Sequence, residues 1–235
     1  MGNTKVTWHG HACFEVDMGK KVLVDPFITG NPKTDLNKDS VSPDVVIVTH
    51  GHSDHLGDAV DIAMRNKVPL VTMVELAWTL EEEFKGLKVE GINLSGSVTV
   101  SGIRISSVVA VHSSSYKGKN VGPPMGVVFG NGFRIYHAGD TGVFGDMELI
   151  REVYHPNLSL LPIGGYYTMS PVEAALATSK LRSEYTIPMH YNTFDLVKSD
   201  PEEFRKYVHD KGSSNVLIPK VGETIIFGSD GKVLA

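Results

Sequence analysis

One short segment limits the fold more than any other: Val45-Val46-Ile47-Val48, followed without a break by Thr49-His50-Gly51-His52-Ser53-Asp54-His55. Four apolar residues in a row have the length and character of a strand buried on both faces, as in a parallel sheet covered on either side. Were the strand to continue, successive side chains would point to opposite faces. An irregular loop at the strand end can instead turn His50, His52, Asp54 and His55 inward together. Neutral imidazole and carboxylate oxygen suit zinc, manganese or iron. A lone histidine here would read as part of a polar capping loop, but an H-x-H-x-D-H run after an apolar strand reads as a metal site.

The composition around this segment is that of an ordinary globular protein. Of 235 residues, 41% are hydrophobic and 21% charged, and a chain of this length buries roughly 70–75% of its unfolded surface, so it needs no covalent staples. Cys13 is the single cysteine, which excludes an internal disulfide framework. No apolar run approaches the ~20 residues of a membrane span. The start, Met1-Gly2-Asn3-Thr4, lacks the basic and apolar regions of a secretory leader, and Val6 stands where a myristoylation motif wants Ser or Thr. A cytoplasmic protein with no membrane partner is expected. The net charge of −5 argues against a nucleic-acid coat, though not against a local basic patch.

No repeat, low-complexity tract or linker interrupts the sequence, so residues 1–235 are expected to form one domain. Short β-branched or aromatic runs at 6–8, 13–16 and 21–24 predict an opening meander. Residues 29–43 read as a loop, 68–72 as a strand, and 58–66 and 75–85 as helices. Strand candidates crowd residues 88–138, with Gly130-Asn131-Gly132 as a hairpin turn. Ser170-Pro171-Val172-Glu173 is a capping box that starts a helix, and Asp200-Pro201 starts another that Gly212 ends. Strands at 158–161, 186–189, 216–218 and 224–227 complete an α/β pattern of two sheets packed face to face with helices outside.

Polar residues just past apolar strands recur at three more places: His112 after Val108-Val109-Ala110-Val111, Asp140 after Ile135-Tyr136-His137, and His190 after Ile187-Pro188-Met189. With the first cluster these make seven candidate ligands. One ion rarely uses seven such ligands, so two ions are inferred. The series His50-x-His52-x-Asp54-His55, His112, Gly139-Asp140-Thr141, His190 resembles the metallo-β-lactamase superfamily. Trp8-His9-Gly10-His11-Ala12, Val24-Asp25-Pro26-Phe27, Tyr136-His137-Ala138-Gly139-Asp140-Thr141, Pro162-Ile163-Gly164-Gly165 and Pro188-Met189-His190-Tyr191-Asn192 are similar to the branch holding ascorbate-6-phosphate lactonases and many metal-dependent hydrolases.

The resemblance spans nearly the whole chain and implies a four-layer αββα sandwich with two divalent ions in an edge cleft, zinc first, with manganese, iron or nickel as alternatives. It implies His50, His52 and His112 at one ion, Asp54, His55 and His190 at the other, and Asp140 between them. Asp54 and Asp140 would be the catalytic carboxylates, with Asp54 orienting the attacking water or taking its proton. His11, Asp25 and His137 are expected to support the ligands through hydrogen bonds. His9 is less defined, while His155 and His209, beside helix ends, are expected in solvent.

The expected activity is hydrolysis of a small ester, lactone or phosphoester. A phosphodiesterase or small nuclease of the same fold is the second reading, and a non-catalytic metal-binding module the third. The expected partner is a small molecule, with an anionic one matching the two loop lysines; nucleic acid is disfavoured, and a homo-oligomer is compatible with the sequence. Candidate substrate residues are Lys117, Lys119, Tyr166, Tyr167, Tyr191 and Asn192. The loop 113–124, with Gly118, Gly122 and two lysines but no nearby acidic residue in sequence, is expected to be a mobile flap.

Overall fold

A computed structural model describes residues 2–234. The first half is built from β1 (Thr4–Trp8), β2 (Phe14–Asp17), β3 (Lys21–Val24), β4 (Val45–Ile47), α1 (Ser53–Leu56), α2 (Ala59–Asn66), β5 (Leu70–Met73), α3 (Val74–Glu83) and β6 (Val89–Ile92). The second comprises β7 (Ser97–Val100), β8 (Ile103–Val109), a small hairpin of β9 (Ser115–Tyr116) and β10 (Lys119–Asn120), then β11 (Met125–Phe129) and β12 (Ile135–His137). It continues through α4 (Met147–Tyr154), β13 (Leu158–Pro162), α5 (Pro171–Leu181), β14 (Tyr185–Met189), α6 (Pro201–Lys211), β15 (Asn215–Val216) and β16 (Thr224–Phe227).

Among the described residues these strands form two seven-stranded sheets, ordered β16-β1-β2-β3-β4-β5-β6 and β15-β14-β13-β12-β11-β8-β7. β16 returns from the far end of the chain to pair antiparallel with β1, closing the first sheet. The run Val45–Val48 behaves as its composition requires. Val45 and Ile47 join the cluster between the sheets, while Val46 and Val48 join the cluster under α2 and α3. The period-two split repeats in β3, where Val22 and Val24 face one way and Leu23 the other. Ala174, Ala175, Leu181, Phe204 and Val208 pack α5 and α6 on the other sheet, completing the αββα layering.

The neighbours β3, β4 and β5 run parallel, as do β12, β13 and β14. β8 lies antiparallel to β11, which lies antiparallel to β12, so β8 shares the direction of β12. Backbone leaving β3, β4, β8, β12 and β14 therefore emerges at matching strand ends, where each loop is free to carry a polar residue. No described helix is long and apolar enough to cross a membrane.

Several elements differ from expectation. The segment after Val48 is not wholly irregular: Ser53–Leu56 is a helical turn with His52 at its N-cap. α4 was not marked in the sequence, although Met147, Ile150 and Tyr154 form its inward stripe. Its N-cap Asp146 makes no side-chain cap, so the usual start signal is weak. Cys13 lies buried just before β2 rather than in it, and the strand expected at 216–218 is Asn215–Val216. The capping box is present, Glu173 accepting from both the backbone N–H and the hydroxyl of Ser170.

Candidate metal centre

The site begins with Asp25, directly after β3. Its carboxylate accepts from the Thr49 N–H at 2.8 Å, from the Thr49 hydroxyl at 2.7 Å and from His55 Nδ1 at 2.7 Å. One buried acid thus ties the end of β3 to the loop leaving β4 and fixes the His55 ring. His50 is oriented through the same group: its Nδ1 lies 3.1 Å from Thr49 Oγ1. The Thr49 hydroxyl gives its proton to Asp25, so it accepts from His50 Nδ1–H, and His50 Nε2 is left facing the site 3.0 Å from His52 Nδ1.

The other half of the site comes from the second sheet. His112 follows β8, and its strand end is tied to the Asp140 loop by Val111 N–H on Thr141 Oγ1 and Gly142 N–H on the Val111 carbonyl, both 3.0 Å. Asp140 follows β12 and is buried, with Oδ1 3.1 Å from His55 Nε2 and Oδ2 3.2 Å from His190 Nε2 and 3.6 Å from His112 Nε2. Gly139 lets this loop approach Thr49: an added Cβ would lie 2.9 Å from the Thr49 Cβ, on a backbone with φ +60°. Gly51 plays the matching part beside the β9–β10 hairpin, where a Cβ would meet Val121 at 2.8 Å.

The geometry carries a chemical signature. His55 Nε2, Asp140 Oδ1 and both ring nitrogens of His190 are buried with no hydrogen-bond partner among the described residues, although their neighbours are close. Donor atoms that crowd together without aligning on one another are arranged as ligands around a shared cation. Three groups have donor atoms within 4.8 Å of one another: His50, His52 and His112; His50, His55 and Asp140; and His11, Asp54, His55 and His190. These residues fit a divalent cation in type, spacing and burial.

Electrostatics agree. Burial pushes Asp140 up, but His190 and His55 outweigh it and hold the carboxyl well below its ordinary range. Burial pushes His55 down, yet Asp140 and Asp25 prevail and raise it well above its ordinary value. His190 is likewise raised to about 9, with Asp140 and Asp54 overcoming burial. Burial pushes Asp54 up, but the imidazoles of His11, His190 and His55 beside it outweigh this and hold it far below its normal range. Burial lowers His50 well below its normal range and takes His11 to about 4, so both are neutral near pH 7. A divalent cation would bring the positive charge that protons on His55 and His190 otherwise supply.

The supporting residues differ in reach. Asp25 touches His55 directly. Among the described residues His137 makes no hydrogen bond to a candidate ligand side chain; its Nε2 lies on the Ala12 carbonyl at 2.9 Å and its Nδ1 accepts from Gly139 N–H at 3.1 Å, bracing the backbone beside Asp140. His11 lies nearer than expected, with Nε2 3.0 Å from Asp54 Oδ2 and its ring centroid 3.9 Å from that of His190. His9 is buried on Asp35 at 2.8 Å, while His155 and His209 are exposed.

The candidate substrate residues separate. A cleft of about 540 Å3 is lined by His52, Ser53, Asp54, Tyr116 and Lys117, among others; Lys119 is exposed on β10 and is not part of that lining. Tyr191 is buried in the core, stacked on Trp8 at 5.2 Å, because the residue after the His190 turn points back under the sheet. Asn192 caps its own turn, its Oδ1 accepting from Ser199 N–H. Tyr166 and Tyr167 are exposed and pack edge-to-face on each other.

The expected flap is a braced hairpin. Val121 is buried in the α2–α3 cluster with Tyr116 against it, and Ser114 Oγ accepts from Gly51 N–H at 3.2 Å. Glu83, at the end of α3, receives both the Tyr116 hydroxyl at 2.9 Å and Lys117 Nζ at 2.5 Å. The acidic partner that sequence proximity did not show comes from a different element. No sequence pattern marks Thr193 or Glu83, and Thr49 is marked only by its place inside the histidine run.

Residues 5–190 match the family described as the β-lactamase superfamily domain. This chain belongs to that superfamily. A UPF0173 metal-dependent hydrolase of Thermoplasma volcanium is 47% identical over 223 residues, which is 95% of this chain and 99% of the relative, so the chain is also a member of that hydrolase family. The structure of a metallo hydrolase from the archaeon Ignicoccus hospitalis superposes with a TM-score of 0.88 at 38% identity, covering 96% of this chain and 98% of that one. An isothiocyanate hydrolase from Delia radicum gut bacteria, at 21% identity and a TM-score of 0.77 over 96% and 99% of the two chains, shares the fold.

Asp25→Ala would strand three buried donors at once, and the expected cost is about 3–5 kcal/mol of stability in urea unfolding, as for other broken buried charged pairs. A loss under about 1 kcal/mol would show that Asp25 does not organise the site.

Proposed function

We propose that the protein is a metal-dependent hydrolase that uses a pair of divalent ions to cleave a small ester, lactone or phosphoester. The observation that carries this reading is the buried set of imidazole and carboxylate atoms that approach one another closely without pairing. His50, His52 and His112 would hold one ion, Asp54, His55 and His190 the second, and Asp140 would stand between them. Zinc heads the candidate ions, with manganese, iron and nickel compatible with the same donors. The chemistry such ions supply when bound is acidification of water and compensation of negative charge developing on the attacked group.

The chain's own residues define the rest. Asp54 is the carboxylate of the set that reaches the cleft, its side chain 29% exposed where that of Asp140 is 3% exposed. Its strongly depressed pKa keeps it charged, so it orients a water by accepting a hydrogen bond rather than by storing the proton. Asp140, buried between His55, His112 and His190, holds the two halves of the donor set in register. Asp25 and His137 keep the ligand loops in place. Lys117, held on Glu83, lines the same cleft, which has the size of a small-molecule site. An anionic substrate in this cleft would meet Lys117 as well as Asp54 and His52. Lys117 would then act in ground-state binding.

Two measurements follow. Hydrolysis of an ester and phosphodiester panel should vanish on chelation and return with added divalent ion. His50→Ala should lower kcat/KM by more than about 100-fold, beyond the range for residues that merely support a ligand, while the fold remains. Activity undiminished in the chelated protein would refute the metal-dependent reading. For an anionic substrate identified in that panel, Lys117→Ala should raise KM by about tenfold with little change in kcat, and Lys119→Ala should alter neither. Equal effects of the two variants would remove Lys117 from the substrate site.

A further inference from the structure

We propose that His11 is a direct ligand of the second ion, binding through Nε2, rather than a hydrogen-bonding neighbour of Asp54. The proposal rests on the metal-dependent reading above and adds a residue to its ligand set.

The hydrogen bonds behind the ring supply the reason. On the first-sheet side, His50 Nδ1 meets Thr49 Oγ1 at 3.1 Å, and that hydroxyl passes its proton to Asp25. The proton of His50 is thereby kept on Nδ1 and its Nε2 lone pair faces the donor cluster. His11 stands on the same kind of relay. Its Nδ1 lies 2.9 Å from Thr193 Oγ1, and the Thr193 hydroxyl donates to the Tyr191 carbonyl at 3.5 Å. In that arrangement the hydroxyl accepts from His11 Nδ1–H, and a cation shared by His11 Nε2 and Asp54 Oδ2, 3.0 Å apart, would take the place of the proton that otherwise joins them. A nitrogen lone pair facing a carboxylate oxygen in a buried setting is repulsive unless a cation lies between them. Two ligands of one ion, each bonded at about 2.1 Å, sit roughly 3 Å apart.

Three further observations fit a ligand. His11 is fully buried, and its donor atom belongs to the group formed with Asp54, His55 and His190. Its backbone is held in the left-handed region at φ +54°, a conformation that non-glycine residues adopt at a cost and that concentrates at functional sites. Its carbonyl accepts from both the Trp8 indole at 3.0 Å and the His190 N–H at 2.9 Å, so the peptide carrying the ring is locked to that of His190. With His11 counted, the second group offers three imidazoles and Asp54, beside the shared Asp140. That exceeds the four ligands of a closed zinc site and suits an ion that accepts more.

The test is a crystal structure of the Mn2+-loaded protein together with Mn2+ titration of the chelated wild type and of His11→Gln. The expected structure has His11 Nε2 at bonding distance from the second ion, about 2.1 Å, with Nδ1 still on Thr193. The expected titration retains the ion held by His50, His52 and His112, while the second binds more than about 100-fold more weakly, beyond the loss produced by residues that only support a ligand. Two bound ions with His11 still resting on Asp54, or a smaller loss in a His11→Gln protein of unchanged melting temperature, would overturn the proposal and leave the metal-dependent reading standing. A wild-type protein that takes up no Mn2+, Zn2+ or Fe2+ would overturn both.

Discussion

The arrangement of the whole site depends on one buried carboxylate. Asp25 sits where β3 ends, in a left-handed backbone conformation with φ +46°, and its two oxygens serve the Thr49 N–H, the Thr49 hydroxyl and the His55 ring. Each of these is a hydrogen bond to a charged acceptor, worth about 1.5–3 kcal/mol and strengthened by burial. Through Thr49 the same acid orients His50, and through His55 it reaches Asp140. Two histidines and the carboxylate between the sheets thus take their orientation from a residue that offers no donor to the cation groups itself. The depressed Asp140 and the raised His55 are further consequences: acids and imidazoles this closely packed must alternate in charge to be buried at all.

The fold makes this economical. Strands buried on both faces spend every side chain on packing, so polar function can appear only where they end. Parallel pairing of β3 with β4 and of β12 with β14 through β13 brings those ends to one edge, and two small residues, Gly51 and Gly139, let the loops close on one another and on the β9–β10 hairpin. The hairpin itself is a wall of the cleft. Val121 anchors it below and Glu83 clamps it from α3, which places Lys117 in the lining of the same cleft as Asp54.

How much of this was legible in the sequence follows from the range of each interaction. The seven proposed ligands stood out because an apolar run followed by His or Asp is a local pattern, and the same patterns carried the family resemblance and with it the layered fold. The helical turn Ser53–Leu56 was hidden because four residues show no periodicity. Tyr191 read as a cleft residue by its place beside His190, but the turn there, with His190 and Asn192 both at φ +57°, sends the tyrosine ring into the core against Trp8. Glu83 and Lys117 lie 34 positions apart, and Thr193 and His11 lie 182 apart. Pairings of that range are created by the tertiary structure, so the lysine seemed unpartnered and the loop seemed free.

In the proposed centre Asp140 stands between two cation sites. The most direct test of that arrangement is metal stoichiometry by equilibrium dialysis for the wild type and for Asp140→Asn. Two ions per wild-type chain, with both bound more weakly in Asp140→Asn, is the expected result. A single ion in the wild type, or a variant in which one of two ions is held as tightly as before, would contradict a centre bridged by Asp140.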